Sequence, residues 1–339
     1  DSFLTSSLVI PTAEDILKAK PLVQKYVTPV PLFRSYALES VLNLKKDRRV
    51  WIKDYGWTPV GSFKLLGALN WMANHLPVRG DRTIVAHSSG NFASGIAFAG
   101  MCFSKKVKVV MPETAPTVKF ERTRSFGAEI LTYDLATDHL TKQRDTLTRQ
   151  LAEKEGALQA SPYDDPHVIA GNGVGGLEIV EELKETSRNL SHFICPVSGG
   201  GLMAGHALAI HHAFPNSKII GVEPTGADDF FQSMAAGKRI RIQQPKSICD
   251  GLCSYEVGEY NWPILLDHIS RTTRITDMQT RVAMRWLYEH HGLRSEPSGA
   301  ISVAVALTEG HEFDGDGDIV IIVSGRNVDD SAFQRWIEY

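Results

Sequence analysis

The chain has 339 residues, 43% of them hydrophobic and 22% charged, which predicts one large or two medium packed domains. Those values exclude wholesale disorder and a small disulfide- or zinc-stapled scaffold. Thirty-six Lys and Arg against 39 Asp and Glu leave a net charge of only −3, so there is no basic surplus to hold nucleic acid or anionic lipid.

The longest apolar runs, such as residues 319–323, are strand-sized and far below the roughly 20 residues of a bilayer span, so no membrane partner is expected. Residues 1–10 contain neither a basic stretch nor a continuous apolar one of the secretory kind. Cys102, Cys195, Cys249 and Cys253 follow no pairing or zinc spacing, and a reducing, cytoplasmic setting is expected.

Short β-branched or apolar runs alternate with longer amphipathic ones, the pattern of an α/β protein with a largely parallel sheet. A strand is predicted over 49–53 and a helix over 62–75, with Phe63, Leu66, Ala68, Leu69 and Met72 at helical spacing. At the start of that helix runs Gly61-Ser62-Phe63-Lys64-Leu65-Leu66-Gly67-Ala68. A lysine in a first turn faces the positive end of the macrodipole, and apolar neighbours lower its pKa further. Only a neutral amine attacks a carbonyl, so Lys64 is a candidate Schiff-base lysine; a solvated helix lysine is the plainer alternative.

The next strand, 83–87, runs into His87-Ser88-Ser89-Gly90-Asn91 and a helix over 92–101. Free backbone N–H groups, two hydroxyls and an amide at the positive end of a helix suit a carboxylate, although Ser and Asn are also ordinary caps. Strand 106–111, helix 116–126, strand 129–133 and helix 139–154 follow. The Pro- and Asp-rich turn at 161–166 is expected to carry the chain between subdomains.

Beyond a helix over 176–190, strand 192–197 meets Ser198-Gly199-Gly200-Gly201-Leu202 and a helix over 203–213. Three glycines between strand and helix let several N–H groups approach a phosphate. The loop lacks both the Walker ending and the dinucleotide spacing, which argues against ATP and NAD. Strand 218–223 and helix 280–292 come next. After the turn Gly315-Asp316-Gly317-Asp318, too incomplete for a calcium loop, strand 318–323 ends in Ser324, placed to meet a ring nitrogen or merely to close the strand.

A lysine for an aldehyde, a glycine loop for a phosphate, a hydroxyl for a ring nitrogen and a serine loop for a carboxylate make up the inventory for pyridoxal phosphate with an amino acid. At this point the chain resembles the fold-type II pyridoxal-phosphate enzymes, and among them the serine/threonine dehydratase and serine racemase family. The likeness runs from Thr28-Pro29-Val30-Pro31-Leu32 to Asn327-Val328.

The resemblance implies a tryptophan synthase β-like fold: two α/β domains with open, mostly parallel sheets. Residues 1–80 and 164–339 would form the large cofactor-binding domain, with residues 81–163 inserted as a small one. Lys64 would carry the cofactor, Phe63 would lie beside its ring, and Asn91 would bond its 3-hydroxyl oxygen. Ser198, Gly199, Gly200, Gly201 and Leu202 would hold the phosphate, Ser324 the pyridine nitrogen, and Glu296 of Glu296-Pro297-Ser298-Gly299 would stand near the cofactor.

Ser88, Ser89, Gly90 and Asn91 would receive the substrate carboxylate. The Glu223 side chain, the Ala227 carbonyl and the Asp229 side chain match a racemase-type divalent-cation site, which favours magnesium, with calcium or manganese as alternatives. The implied reaction is β-elimination from a β-hydroxy-L-amino acid to a 2-oxo acid and ammonia, with Lys64 as general base.

Racemisation is the alternative, with Ser89 acting on the opposite face. β-Replacement and an inactive cofactor-binding regulator are further ones. A homodimer taking a small amino-acid substrate is also implied. Leu66, Phe92 and Arg326 depart from an Arg, a His and a Gly common among relatives, and they bear on the substrate rather than the cofactor.

Overall fold

The computed structural model describes residues 8–45, 47–79 and 81–339. Residues 1–7, which carry most of the N-terminal reading, and Gly80, at the expected domain boundary, lie outside them. The strands are β1 (Leu32–Arg34), β2 (Val50–Asp54), β3 (Ile84–His87), β4 (Val107–Pro112), β5 (Glu129–Tyr133), β6 (Leu158–Gln159), β7 (Leu190–Pro196), β8 (Lys218–Pro224), β9 (Arg271–Ile275) and β10 (Asp318–Val323).

They form a six-stranded sheet of order β1-β2-β10-β7-β8-β9 and a four-stranded sheet of order β5-β4-β3-β6. Every pairing is parallel except β1 with β2, at the edge of the larger sheet.

The uninterrupted apolar run of β10 follows from burial on both faces, as parallel sheets require. Ile319, Ile321 and Val323 enter one core with the helices Asp277–His291 and Pro297–Glu309, while Val320 and Ile322 enter the other with Lys64–Arg79 and Pro166–Glu185. That second core also takes in Ile84, Val107 and Val109, so it continues beneath the smaller sheet.

Seven predicted strands are present within one or two residues of the expected ends, and three short ones were missed. All three, β1, β6 and β9, are sheet edges, and β9 reads Arg-Thr-Thr-Arg-Ile, without the apolar run that marked the central strands. The predicted helix 139–154 is instead two, Leu135–Thr141 and Gln143–Glu155, because Lys142 takes a left-handed φ of 52° between them.

The predicted helix 176–190 also needs correction. It begins at Pro166, ten residues earlier, where Asp165 caps the amides of His167 and Val168, and it ends at Glu185, before β7. The glycines that disguised its first half serve packing. A Cβ at Gly171 would stand 2.5 Å from the Leu66 carbonyl oxygen and 2.8 Å from Gly67 Cα, so this helix lies backbone to backbone on the one that starts at Lys64.

Six helices were not anticipated: Ala13–Gln24, Tyr36–Val41, Asp229–Ala236, Asn261–His268, Pro297–Glu309 and Asp330–Ile337. Pro297–Glu309 lacks amphipathic spacing because its first ten residues are all buried. No described helix is long and apolar enough to cross a membrane, and the four cysteines are free.

Overpacking the backbone contact should be costly. Gly171→Val is expected to lower unfolding free energy by about 1–3 kcal/mol in urea titration; unchanged stability would contradict a contact this close.

Candidate active site

Strand β10 continues as a second, antiparallel seam that sets Lys64. Ser62 bridges Gly325, the Phe63 amide donates to the Ser324 carbonyl at 3.2 Å, and the Arg326 amide donates to the Gly61 carbonyl at 2.9 Å. Gly61 has φ 70°, and a Cβ there would meet Asn327 Oδ1 at 2.5 Å, so the turn demands glycine. Lys64 is then the first residue of its helix, as the sequence suggests.

Its amine is enclosed by protein although the residue as a whole is partly exposed, and Nζ donates to the Pro162 carbonyl at 2.9 Å. The rings of Phe63 and Phe92 lie 5.2 and 5.8 Å from it. Burial, and then the nearby Lys119 ammonium, bring the Lys64 pKa down to about 7.

The serine loop sits at the carboxyl end of β3, in the smaller sheet. Ser88 Oγ accepts the amides of Gly90 and Ala93 at 2.9 and 3.0 Å, and its own amide donates to Val110, so Ser88 is largely spent as a cap. Ser89 is exposed. Gly90 has φ 147°, and a Cβ on it would lie 2.3 Å from Lys119 Cδ.

The Asn91 amide is buried; Nδ2 donates to Glu296 Oε1 at 2.9 Å, and Oδ1 accepts from Asn327 Nδ2 at 2.9 Å. Glu296 is fully buried at the start of the helix Pro297–Glu309, and its Oε1 also accepts the Asn327 amide.

The glycine loop leaves the carboxyl end of β7. Gly200 has φ 101° and precedes the helix Gly201–Ala213, whose first amides have no acceptor within the helix. Gly258 N and Asn261 Nδ2 both donate to the Gly199 carbonyl at 2.9 Å, which turns that carbonyl away from the loop's N–H side. Ser198 Oγ bonds Ser254 Oγ at 2.9 Å. A Cβ at Gly199 would fall 2.2 Å from the ring of Tyr163, so only glycine fits. Ser324, buried at the end of β10, donates from Oγ to the Ser298 carbonyl at 3.3 Å.

Lys64, the serine loop, the glycine loop, Glu296 and Ser324 therefore converge where strands of both sheets end, the usual ligand position in open α/β sheets. A desolvated amine, amides at a helix start and a neutral hydroxyl suit the aldehyde, phosphate and ring nitrogen of pyridoxal phosphate.

The expected cation ligands lie at the end of β8. Glu223 is buried, its two oxygens accepting the amides of Phe230 and Phe231 at 2.9 and 2.8 Å. Asp229 is fully buried, and neither of its oxygens has a hydrogen-bond partner. Burial lifts Glu223 well above the usual carboxyl range and Asp229 to about 8, and the adjacent carboxylates add to the rise. Among the described residues no three His, Cys, Asp or Glu side chains cluster as a metal site, since this set offers two carboxylates and a carbonyl. An orphaned buried carboxylate beside a second one nevertheless fits a hard cation.

Several neighbours were not anticipated. Lys119, fully buried in the helix Thr117–Ser125, stands 2.7 Å from Asp250 Oδ2 and 2.9 Å from Glu296 Oε2, the latter a charge contact too far off line for a hydrogen bond. Its place in a first turn was the same signal that singled out Lys64. Tyr163, in the turn 161–166, and Asn327, at the end of the Ser324 motif, had been given no role. His87, its pKa brought down to about 3 by burial and then by the Arg144 charge, stands 4.0 Å from Asp145.

The geometry defines a pyridoxal-phosphate site of the fold-type II kind. The chain belongs to the pyridoxal-phosphate dependent enzyme family, which matches residues 23–325. It is 33% identical over 322 residues to an L-threo-3-hydroxyaspartate ammonia-lyase of Saccharomyces cerevisiae, covering 95% of each chain. To a serine racemase of Schizosaccharomyces pombe it is 30% identical over 334 residues, covering 98% of this chain and 99% of that one. The structure of maize serine racemase matches with TM-score 0.88 at 30% identity, covering 96% of this chain and 97% of that one. A processed threonine deaminase isoform 2 from Solanum lycopersicum matches with TM-score 0.84 at 30% identity, over 98% and 91%.

Because the Lys64 pKa is lowered, its amine loses its proton near neutrality. The rate at which cofactor-stripped protein takes up pyridoxal phosphate should rise with pH around a midpoint of about 7. A midpoint near that of an ordinary lysine would contradict the buried amine.

Proposed function

We propose that this enzyme is an ammonia-lyase that eliminates water from a β-hydroxy-L-amino acid of the serine, threonine, 3-hydroxyaspartate or 3-phenylserine type, the resulting enamine taking water back to release a 2-oxo acid and ammonia. The observation that carries the reading is Lys64, an amine uncharged near neutrality, set between a glycine loop and a serine loop. Relatives named ammonia-lyase and dehydratase support it.

In this reading Lys64 would hold the cofactor aldehyde, Ser198, Gly199, Gly200, Gly201 and Leu202 its phosphate, Ser324 its ring nitrogen and Asn91 its 3-hydroxyl oxygen, with Phe63 and Glu296 near the ring. The bound cofactor supplies an electron-withdrawing ring that weakens the substrate's Cα–H bond.

Amides and hydroxyls of Ser88, Ser89, Gly90 and Asn91 receive the substrate carboxylate at the start of the helix Asn91–Cys102. Ser88 contributes through the donor left to its hydroxyl. With substrate in place, Lys64 Nζ would take the Cα proton as a positioned base. Ser324 offers a neutral hydroxyl and adds no charge to the ring nitrogen, which favours prompt loss of the β-hydroxyl over transamination. Racemisation is the second reading, supported by relatives named serine racemase and by the exposed Ser89, the candidate acid on the other face.

The supporting cation is magnesium, or calcium or manganese, on the side chains of Glu223 and Asp229 and the carbonyl of Ala227. The orphaned oxygens of Asp229 support this assignment. We place the domain division at residues 1–80 with 164–339 and 81–163, since the four-stranded sheet draws its strands from Ile84 to Gln159. A cytoplasmic homodimer belongs to the same reading.

Purified holoenzyme given L-serine, L-threonine, 3-hydroxyaspartate and 3-phenylserine should yield 2-oxo acid and ammonia from at least one. No oxo acid from any of them would overturn the lyase, and D-amino acid without oxo acid would establish racemisation instead. Chelator-treated protein should melt at a higher temperature once magnesium or calcium is added, and Asp229→Asn should abolish the rise; a rise of equal size in the variant would remove Asp229 from the site.

A further inference from the structure

Lys119 has no place in the chemistry just described, yet it meets Asp250, Glu296 and the serine loop at Gly90. Its side chain is fully buried, and its ammonium stands between Asp250 Oδ2 at 2.7 Å and Glu296 Oε2 at 2.9 Å. The other oxygen of Glu296 holds Asn91 Nδ2 at 2.9 Å and the Asn327 amide at 3.2 Å. Asn327 in turn donates to Asn91 Oδ1 and to the Val60 carbonyl, at 2.9 and 2.8 Å. The lysine stem presses on Gly90, where a Cβ would come within 2.3 Å of Cδ. One cation thus joins the serine loop of the smaller sheet to Glu296, Asp250 and the end of β10.

We propose that Lys119 is a positioning residue that acts through Glu296: it holds the carboxylate that orients Asn91 and Asn327, and so fixes the cofactor ring and the substrate loop relative to Lys64. This inference rests on the cofactor site described above. The alternative is a purely structural staple, and the route through Glu296 to Asn91 and Asn327 distinguishes the two. The groups facing Lys119 are Asp250 and Glu296, both of which favour its charge, and Lys64, whose amine it discourages from binding a proton. Glu296 is pushed up by burial and drawn back by Lys119, with Asp250 opposing and Arg122 of the same helix also within its field. His87 also faces Lys64. A staple, once cut, would cost folding stability alone, whereas Lys119 in the proposed role also governs cofactor retention through Glu296.

The test uses holoenzyme carrying Lys119→Met, Glu296→Gln or both. Loss of one partner from a buried ion cluster leaves the other unpaired, so Lys119→Met should weaken pyridoxal-phosphate retention by about tenfold in dialysis followed by visible absorbance. The pH midpoint of that absorbance should move upward, because a positive neighbour is gone. If the effect passes through Glu296, the double variant should be little worse than Lys119→Met alone.

Native circular dichroism with unchanged retention and an unchanged midpoint in Lys119→Met would overturn the proposal, and so would strictly additive losses in the double variant. Should Lys119→Met fail to fold, Glu296→Gln, which keeps Lys119 paired with Asp250, decides the matter: unchanged retention and midpoint there overturn the route through Glu296. A native holoenzyme without visible absorbance would instead refute the cofactor site itself.

Discussion

The site depends on a short antiparallel seam between chain segments more than 250 residues apart. Ser62 against Gly325, with the amides of Phe63 and Arg326 donating across the gap, pins the turn before Lys64 to the end of β10. Backbone groups in such a seam are paired with one another rather than with water, which lets the region be buried without orphaned donors. The helix beginning at Lys64 inherits its position, and Ser324 and Asn327 inherit theirs from the other side. Without the seam the amine would lie on a solvated helix end and keep its proton.

Charge is managed locally. The whole chain is nearly neutral at −3, yet the site gathers the Lys64 amine, Lys119 and Glu296 in the interior, with the partly exposed Asp250 beside them. Isolated buried charges are costly, and each here has either a partner or a pKa that lets it discharge. Lys119 keeps its charge between two carboxylates, and Lys64, with no carboxylate beside it, gives its proton up near neutrality. In the proposed reading an anionic cofactor would be held by helix-start amides at the glycine loop and a substrate carboxylate by those at the serine loop, with no general positive surface.

Much of this was legible in the chain. Central parallel strands announce themselves as apolar runs, and glycine triplets or serine loops between strand and helix mark anion sites. The edge strands β1 and β9 were not legible, since β1 has only three residues, β9 is polar, and each takes its strand character from a neighbour. The first half of the helix Pro166–Glu185 was hidden because its glycines, weak helix formers, are selected by the backbone of a helix it touches. Lys119 was missed for a related reason. Its partners Asp250 and Glu296 lie 131 and 177 positions away along the chain, and only the fold brings them together.

The central claim is that Lys64, rather than any of the buried lysines Lys53, Lys108 and Lys119, carries the cofactor. Borohydride reduction of the holoenzyme followed by peptide mass spectrometry tests it directly. The account predicts a single pyridoxyl group on Lys64; a group on any other lysine, or none, would contradict it.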